Sequence, residues 1–232
     1  MRKLDSGLLN QPVVAAQVAL AYAVMSDWPL EPLQVVVLHG LSEGMYASGD
    51  LFRYTARVQS ICPVAVVGGD GRTTGGTVPQ ASWIGFEAVV QKLLQAGVDR
   101  QSIIELDPTT NSKEEAVAIV KMAKERGFSR VGSVSVAYHG GRMFPYMVAA
   151  MKELGYWLDY RMLPPARTDW WLPMVASQGA GTTNSIEATL LDAVKIERHI
   201  EQGFAASFPE VFYYLEHRAE IVRTQVWDYP NT

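Results

Sequence analysis

The sequence predicts an α/β protein with an open parallel sheet of about five strands, helices on both faces and covering helices at its C-terminal end. Short, continuously apolar segments closed by glycine or proline recur along the chain, which is typical of strands buried on both faces. Segments with helical periodicity separate them, and the connections between the two kinds of segment are short. Such β-α-β-α alternation favours parallel strands joined by crossover helices.

The first predicted element is a core helix within residues 13–25, where apolar residues recur at helical spacing. Its expected buried face consists of Val14, Val18, Ala21, Tyr22 and Met25. An export signal is the alternative, because two cations precede the apolar run. The run is roughly half the ~20 residues that a membrane helix needs, so no membrane span is predicted. A cytoplasmic location is the expectation.

Five strands and four helices are predicted to follow in alternation. The strands fall within residues 33–40, 62–71, 102–108, 130–141 and 157–164. The helices fall within residues 51–60, 80–96, 112–126 and 142–154. The third of these helices has the clearest signals, because Ser112 and Glu115 have the spacing of a capping box and Gly127 can end the helix.

Two further helices are predicted near the C-terminus, at residues 186–202 and from Ser207 to about residue 224. Ser207 and Glu210 predict a second capping box, with Pro209 in the first turn. Since no strand follows, these helices are expected to cover the sheet. The predicted organisation is an α/β domain at residues 1–175, including the N-terminal helix, and a helical extension at residues 176–232 packed on the same domain.

Composition narrows the classes of partner. The formal net charge is −4 and both signs are spread along the chain, so no basic stripe exists to neutralise phosphates. Nucleic acid is therefore not an expected partner. The single cysteine, Cys62, cannot form an internal disulfide bond, which suits a reducing compartment. The oligomeric state is left open.

Polar residues and glycines follow four of the predicted strands. Ligands bind outside the carboxyl ends of the strands in open parallel sheets, because the βα turns and helix N-termini converge there. The four turns supply His39 and Gly40, Gly68 and Gly69, Asn111 and Ser112, and finally His139, Gly140, Gly141 and Arg142. Their coincidence predicts a ligand site at this edge of the sheet.

Each motif also has a structural explanation. Residues 109–112 could serve only as a helix cap, and His139 could be a histidine satisfied within the core. The glycine-rich segment 68–76 lacks the lysine of a Walker A loop and the third glycine of a dinucleotide fingerprint. No ligand spacing supports a metal site, and no G-x-S-x-G elbow supports a serine hydrolase.

Other polar and aromatic residues receive less specific interpretations. A metal site would have to combine His39 and His139 with Glu43 and Asp70. His199 and His217 are interpreted as surface or packing residues of the C-terminal helices. Trp170 and Trp171 could form a lid, a partner surface or part of the core.

Five segments between residues 33 and 164 follow one another in a familiar order: "VVVLHG", "LFRYTARV", "VVGGDG", "GVDRQSIIELDPTTNSKEEA" and "VSVAYHGGRM". Together they resemble the bacterial domain-of-unknown-function family typified by SanA, ElyC and YdcF. The resemblance implies a Rossmann-like α/β fold and an association with cell-envelope maintenance. It also implies nucleotide-like ligands such as S-adenosylmethionine, without a settled reaction.

The resemblance also implies a set of site residues: Gly40, Arg53, Gly68, Gly69, Asn111, Ser112, Glu114, His139 and Arg142. His139 and Glu114 are the candidate catalytic residues, and the others are candidate ligand-binding residues. The chain departs from the family pattern at Ser112, Glu115 and Met143, where threonine, asparagine and alanine are usual. Glu115 adds a negative charge to the expected pocket.

Three interpretations of function follow. In the first, the arginines recognise a small anionic or nucleotide-like ligand, and His139 acts as acid or base in transfer or hydrolysis at a phosphate-bearing group. Gly140 and Gly141 would let that ligand approach the backbone. In the second, the chain is a non-catalytic module that binds a nucleotide or S-adenosylmethionine. A weaker third interpretation makes it an assembly factor that docks a partner through Trp170 and Trp171.

Overall fold

Five parallel strands form one sheet in a computed structural model that describes residues 11–27, 29, 31–48, 50–59, 62–69, 83–163, 165, 170–171, 173–175 and 182–230. The strands are β1 (Val35–Leu38), β2 (Val64–Val66), β3 (Ile103–Glu105), β4 (Arg130–Val134) and β5 (Asp159–Leu163). Their order in the sheet is β3-β2-β1-β4-β5. A short antiparallel pair, β6 (Met174–Val175) and β7 (Thr182–Thr183), lies outside this sheet. The predicted α/β fold is confirmed.

Eight α-helices accompany the strands in the described part of the chain. They are α1 (Pro12–Ser26), α2 (Glu43–Ser48), α3 (Leu51–Val58), α4 (Phe86–Gln95), α5 (Ser112–Arg126), α6 (Ala137–Leu154), α7 (Ser185–Glu201) and α8 (Phe208–Thr224). Helices α2, α3 and α4 cover one face of the sheet, and α1, α5, α6 and α8 cover the other. Helix α7 packs on α1 and α6.

The central strand β1 has every residue fully buried. Val35 and Val37 join the core beneath α5 and α6, whereas Val36 and Leu38 join the core on the opposite face. This alternation explains why a run of four apolar residues forms a strand covered on both sides. The chain passes from β1 to β2 and β3 on one side, and β4 and β5 lie on the other. The crevice of a doubly wound sheet is therefore expected at the carboxyl ends of β1 and β4.

Helix α5 has the predicted bounds, but its cap lies one residue earlier than predicted. The side chain of Asn111, not Ser112, accepts a hydrogen bond from the Glu114 N–H at 3.0 Å. Asn111 has the extended backbone conformation that an N-cap needs. Glu115 is thereby freed from the cap and faces the interior. Gly127 ends the helix in the left-handed conformation, as predicted.

Helix α6 begins at Ala137, five residues before the predicted start, because β4 ends at Val134. Gly140 and Gly141 therefore lie inside the helix, not in a turn that a ligand approaches. A Cβ atom on Gly141 would lie 2.8 Å from the Cβ of Ala21 in α1. The two glycines let α6 pack closely on its neighbours. The free energy gained from this packing outweighs the low helix propensity of glycine.

Helix α1 forms as predicted, but its buried face is different. Val14, Gln17, Leu20, Ala21 and Val24 are buried. Val18 and Tyr22 are 40% and 71% exposed, so the predicted face was wrong at these two positions. The helix packs against both α6 and α7, and Gln17 is buried together with the apolar residues of the packed face. In the described part of the chain, no helix combines the length and the hydrophobicity needed to cross a bilayer.

The two C-terminal helices lie close to their predicted bounds. The capping box of Ser207 and Glu210 is present at the start of α8, as predicted. Helix α8 contacts α6 and β5, and α7 contacts α1 and α6. The proposed division after residue 175 stays a prediction.

Candidate functional site

His39 follows β1 directly and is fully buried. Its Nε2 is hydrogen bonded to the hydroxyl of Ser133 at 2.9 Å, and the hydroxyl of Tyr160 lies 3.4 Å from the same nitrogen. Its Nδ1 lies 3.3 Å from Oε2 of Glu115. The other carboxylate oxygen of Glu115 accepts a hydrogen bond from the Gly40 N–H, also at 3.3 Å. His39 therefore links strands β4 and β5 to the first turn of α5.

Ser133, His39 and Glu115 have the connectivity of a serine–histidine–acid triad. A nucleophilic serine must reach its substrate, but Ser133 lies within β4 and has no exposed surface. The geometry therefore favours a structural role, in which hydrogen bonds satisfy polar groups that the fold buries.

His139 lies in the first turn of α6 and is 2% exposed. Its Nδ1 is hydrogen bonded to the hydroxyl of Ser135 at 2.9 Å, and its ring centroid lies 5.1 Å from that of His39 in an edge-on arrangement. Burial lowers the pKa of His139 well below its usual value, and the charges of Arg142 and His39 add to this effect. A neutral imidazole offers one donor and one acceptor nitrogen. The lowered pKa favours this neutral form and makes His139 a weaker base than an ordinary histidine.

Arg142 lies one turn after His139 and forms an ion pair with Asp192 of α7, Nη1 to Oδ1 at 3.3 Å. Burial opposes the charge on the guanidinium, but Asp192 and other neighbours outweigh it and raise the pKa of Arg142. The Nε of Arg142 and the Oδ2 of Asp192 are buried without a hydrogen-bond partner within the described residues. Arg142 was predicted to bind a ligand. In the structure its counter-ion is Asp192, on a helix that lies outside residues 33–164.

A groove of about 1150 Å³ opens between the start of α5 and helix α7. Four predicted site residues line it: Asn111, Ser112, Glu114 and Arg142. Farther along, Tyr146, Lys195, His199 and Phe204 also line it. The Tyr146 hydroxyl is hydrogen bonded to Nδ1 of His199. The structure therefore brings part of the predicted set together at the surface, while His39 and His139 lie in the interior.

Glu114 is engaged at the start of α5. One carboxylate oxygen accepts hydrogen bonds from the N–H and the hydroxyl of Thr110, at 2.7 and 2.9 Å. The other accepts one from the side-chain amide of Asn111 at 2.9 Å. The hydrogen bond from the Thr110 backbone is the main cause of a lowered pKa at Glu114. These contacts give Glu114 a capping role, and its catalytic role stays a prediction.

The remaining predicted residues lie elsewhere. A Cβ atom on Gly40 would lie 2.5 Å from the Cα of Gly68, so these two glycines allow the loops after β1 and β2 to touch. Gly69 is buried beside them. Arg53 is an exposed residue of α3, with Nη1 4.0 Å from Oδ2 of Asp50, and it does not line the groove.

Some earlier alternatives lie wholly or partly outside the described residues. The segment 70–82, with most of the glycine-rich motif and Asp70, is one example. The described residues contain no group of three or more side chains arranged to hold a metal ion. Trp171 is 67% exposed, and the carbonyl of Trp170 accepts a hydrogen bond from Ile186 at 3.4 Å.

Sequence reasoning missed the contribution of α7. Asp192, Lys195 and His199 have the i, i+3, i+7 spacing of one helix face. His139, Arg142 and Tyr146 repeat this spacing on α6. The two stripes were visible in the sequence, but only the packing of α7 on α6 shows that they meet.

The fold and this site define a Rossmann-like α/β protein with buried polar residues at the crevice between β1 and β4. No protein-family model matches the chain, and a comparison with curated proteins finds no match. The resemblance to the SanA, ElyC and YdcF family therefore stays a prediction.

Proposed function

We propose that the protein binds a small anionic or nucleotide-like ligand at the carboxyl ends of the parallel strands. One observation carries the proposal: the Arg142–Asp192 ion pair is largely buried, and Nε of Arg142 and Oδ2 of Asp192 lack hydrogen-bond partners within the described residues. Burial of polar and charged groups costs free energy, so proteins concentrate such groups where a function needs them. The adjoining groove offers a ligand access to Asn111 and to Arg142.

The chemistry of each residue suggests its part in this function. Arg142 has an unpaired Nε, so an anionic oxygen can gain a hydrogen bond there while Asp192 keeps its contact with Nη1. His139 is hydrogen bonded to Ser135 at Nδ1, so Nε2 is the ring nitrogen proposed to exchange a proton. Its proposed role is proton transfer during transfer or hydrolysis at a phosphate-bearing group.

A non-catalytic module that binds S-adenosylmethionine or a nucleotide is the second candidate. Two observations favour it: His139 is almost inaccessible, and Asp192 compensates the charge of Arg142. A zwitterionic ligand with a sulfonium cation suits such a balanced site better than a polyphosphate does. The cell-envelope role implied by the resemblance belongs with this candidate.

Calorimetric titration with ADP and with S-adenosylmethionine tests the binding proposal. The informative variant carries Arg142→Gln and Asp192→Asn together, because removing both charges leaves neither one buried and unpaired. We expect saturable binding of at least one ligand and a loss of about tenfold or more in this variant. Arg126→Gln, at the far end of the groove, is the control and should change affinity less than about twofold. Flat titrations of the folded protein with both ligands would contradict the proposal.

Prolonged incubation with ADP, followed by ³¹P NMR, separates the two candidates. The catalytic candidate requires a product that disappears in His139→Gln, while ADP affinity changes less than about threefold. A product formed equally well by this variant would remove His139 from the mechanism. Saturable binding without any product would instead support the binding module.

A further inference from the structure

Helix α7 supplies one wall of the groove, and its contribution reaches beyond the ion pair of Arg142. Lys195 and His199 both line the groove, one and two turns after Asp192. The Lys195 ammonium lies 3.9 Å from Oδ1 of Asp192, and His199 is hydrogen bonded to Tyr146 of α6. The Tyr146–His199 hydrogen bond and the Arg142–Asp192 ion pair hold the polar faces of α6 and α7 against each other.

Helix α5 adds a cation from the opposite wall. Nζ of Lys113 lies 4.7 Å from the ring centroid of Phe204, over the residues that follow α7. Lys113, Arg142 and Lys195 thus surround this end of the groove, where Asp192 is the buried counter-ion. The nearby carboxylate of Glu114 is engaged by Thr110 and Asn111.

Several cations act on His199 at this end of the groove. The pKa of His199 is lowered first by burial and then by the charges of Arg198, Lys195 and Arg142. A histidine whose protonation is opposed by three cations reports a field that attracts anions.

One donor in this region lacks an acceptor. The Nε of Arg142 is buried without a partner within the described residues, although nearly all buried N–H groups in proteins are hydrogen bonded. An anionic oxygen at the floor of the groove would provide the acceptor. Cations from α5, α6 and α7 line this groove, and a phosphate group offers them more acceptor oxygens than a carboxylate does.

We propose that the groove between α5 and α7 is a subsite for a phosphate group, bound by Arg142, Lys195, His199 and Lys113. This inference rests on the proposed function and deepens it, because it names the anionic group of the ligand. It also makes helix α7, which lies outside the resembling segments, a part of the binding site.

Titration with inorganic phosphate at constant ionic strength and pH 7.5 tests the subsite in the full-length protein. We expect saturable binding that Lys195→Gln weakens at least fivefold and His199→Gln at least threefold. Arg223→Gln is the control, because it removes one exposed charge from α8, a helix that does not line the groove. Its effect should stay below twofold. No saturable binding by the folded protein, or an equal loss in Arg223→Gln and Lys195→Gln, would overturn the subsite.

Parallel titrations with ADP and adenosine distinguish failure of the subsite from failure of the proposed function. The subsite requires that ADP bind more tightly than adenosine and that Lys195→Gln reduce this difference at least fivefold. Equal affinity of Lys195→Gln and the unmodified protein for ADP would overturn the subsite while ligand binding stands. Phosphate binding with the expected variant effects, but no tighter binding of ADP or S-adenosylmethionine, would support the subsite and contradict the nucleotide-like ligand.

Discussion

At the scale of single residues, burial decides what the polar groups of this protein can do. His139 keeps a neutral imidazole because its surroundings disfavour the charged form. Gln17 of α1 has no exposed surface, and neither polar atom of its side chain has a hydrogen-bond partner within the described residues. Both residues therefore have consequences for stability that can be measured without knowing the ligand.

Stability should fall when the solution is acidified, in part because of His139. The pKa of His139 is below its value of about 6.5 in an unfolded chain, so between these two values the unfolded state binds a proton that the native state does not. This contribution is complete above pH ~6.5 and is lost as the pH falls toward the pKa of the folded protein. The slope for one proton is at most about 1.4 kcal/mol per pH unit.

Urea denaturation at pH 7.5, 6.5 and 5.5 measures this slope in the unmodified protein and in His139→Gln. The substitution should make the slope smaller. His199→Gln is a useful comparison, because the pKa of the less buried His199 is also lowered and should contribute to the remaining slope. If stability depended on pH equally in His139→Gln and in the unmodified protein, a lowered pKa of His139 would be contradicted.

Replacing Gln17 by methionine should raise the free energy of unfolding by about 1 kcal/mol, because a buried amide without partners is removed and side-chain volume is kept. Urea denaturation at pH 7.5 provides the measurement. Leu20→Met, at a buried apolar position of the same helix, controls for packing changes. A loss of stability in Gln17→Met beyond that control would show that the amide has a partner, such as ordered water.

At the scale of elements, the first turns of α5 and α6 are built by different means. Local hydrogen bonds from Asn111 and Glu114 define the start of α5. Helix α6 lacks a side-chain cap, and its first turn instead packs tightly on its neighbours. Gly140 faces Met162 and Gly141 faces Ala21.

Gly141→Ala should destabilise the protein by about 1–3 kcal/mol, whereas Gly140→Ala should have little effect. Both substitutions gain similar helix propensity. A Cβ atom on Gly141 would lie 3.0 Å from the backbone Cα of Ala21, so α1 itself would have to move. A Cβ atom on Gly140 would lie 2.9 Å from Cε of Met162, the flexible end of a side chain. Thermal and urea denaturation of the two variants measure the difference in stability. Equal stabilities of Gly140→Ala and Gly141→Ala would argue against tight packing of α1 on α6.

At the scale of the whole molecule, four charges within the described residues form a network that joins the N-terminal helix, the sheet and the C-terminal helix. Arg218 of α8 contacts Asp27, just after α1, at 2.7 Å and Asp159 of β5 at 3.1 Å. Arg161 of β5 forms ion pairs with the same two carboxylates. The arginine side chains are largely buried, so the network connects elements that are distant in sequence.

Arg218→Met should lower the free energy of unfolding by about 3 kcal/mol, because it leaves two carboxylates sharing one arginine. Arg223→Met on the same helix should leave the denaturation midpoint unchanged, since Arg223 and its partner Glu220 are exposed. Adding Asp27→Asn to Arg218→Met should recover part of the loss, because one unpaired charge disappears. Additive losses in the double variant would contradict coupling between these residues.

The sequence by itself determined the local features of this protein. Runs of β-branched residues predicted the parallel strands, and the spacing of Ser207 and Glu210 predicted the start of α8. It also predicted the bounds of α5, with an error of one residue in the cap. These features depend on residues within about four positions of each other, so their physical causes are present in any short window of the chain.

Only the tertiary structure decided which face of α1 is buried, where α6 begins and which groups meet at the candidate site. His39 and Glu115 are 76 residues apart in sequence, and Arg142 and Asp192 are 50 residues apart. No local pattern specifies such pairs, because their contact depends on how the helices pack over the sheet. The ligand site that the sequence predicts at the carboxyl edge of the sheet stays a prediction. Packing determined the counter-ion of Arg142, the lowered pKa of His139 and the groove beside α7.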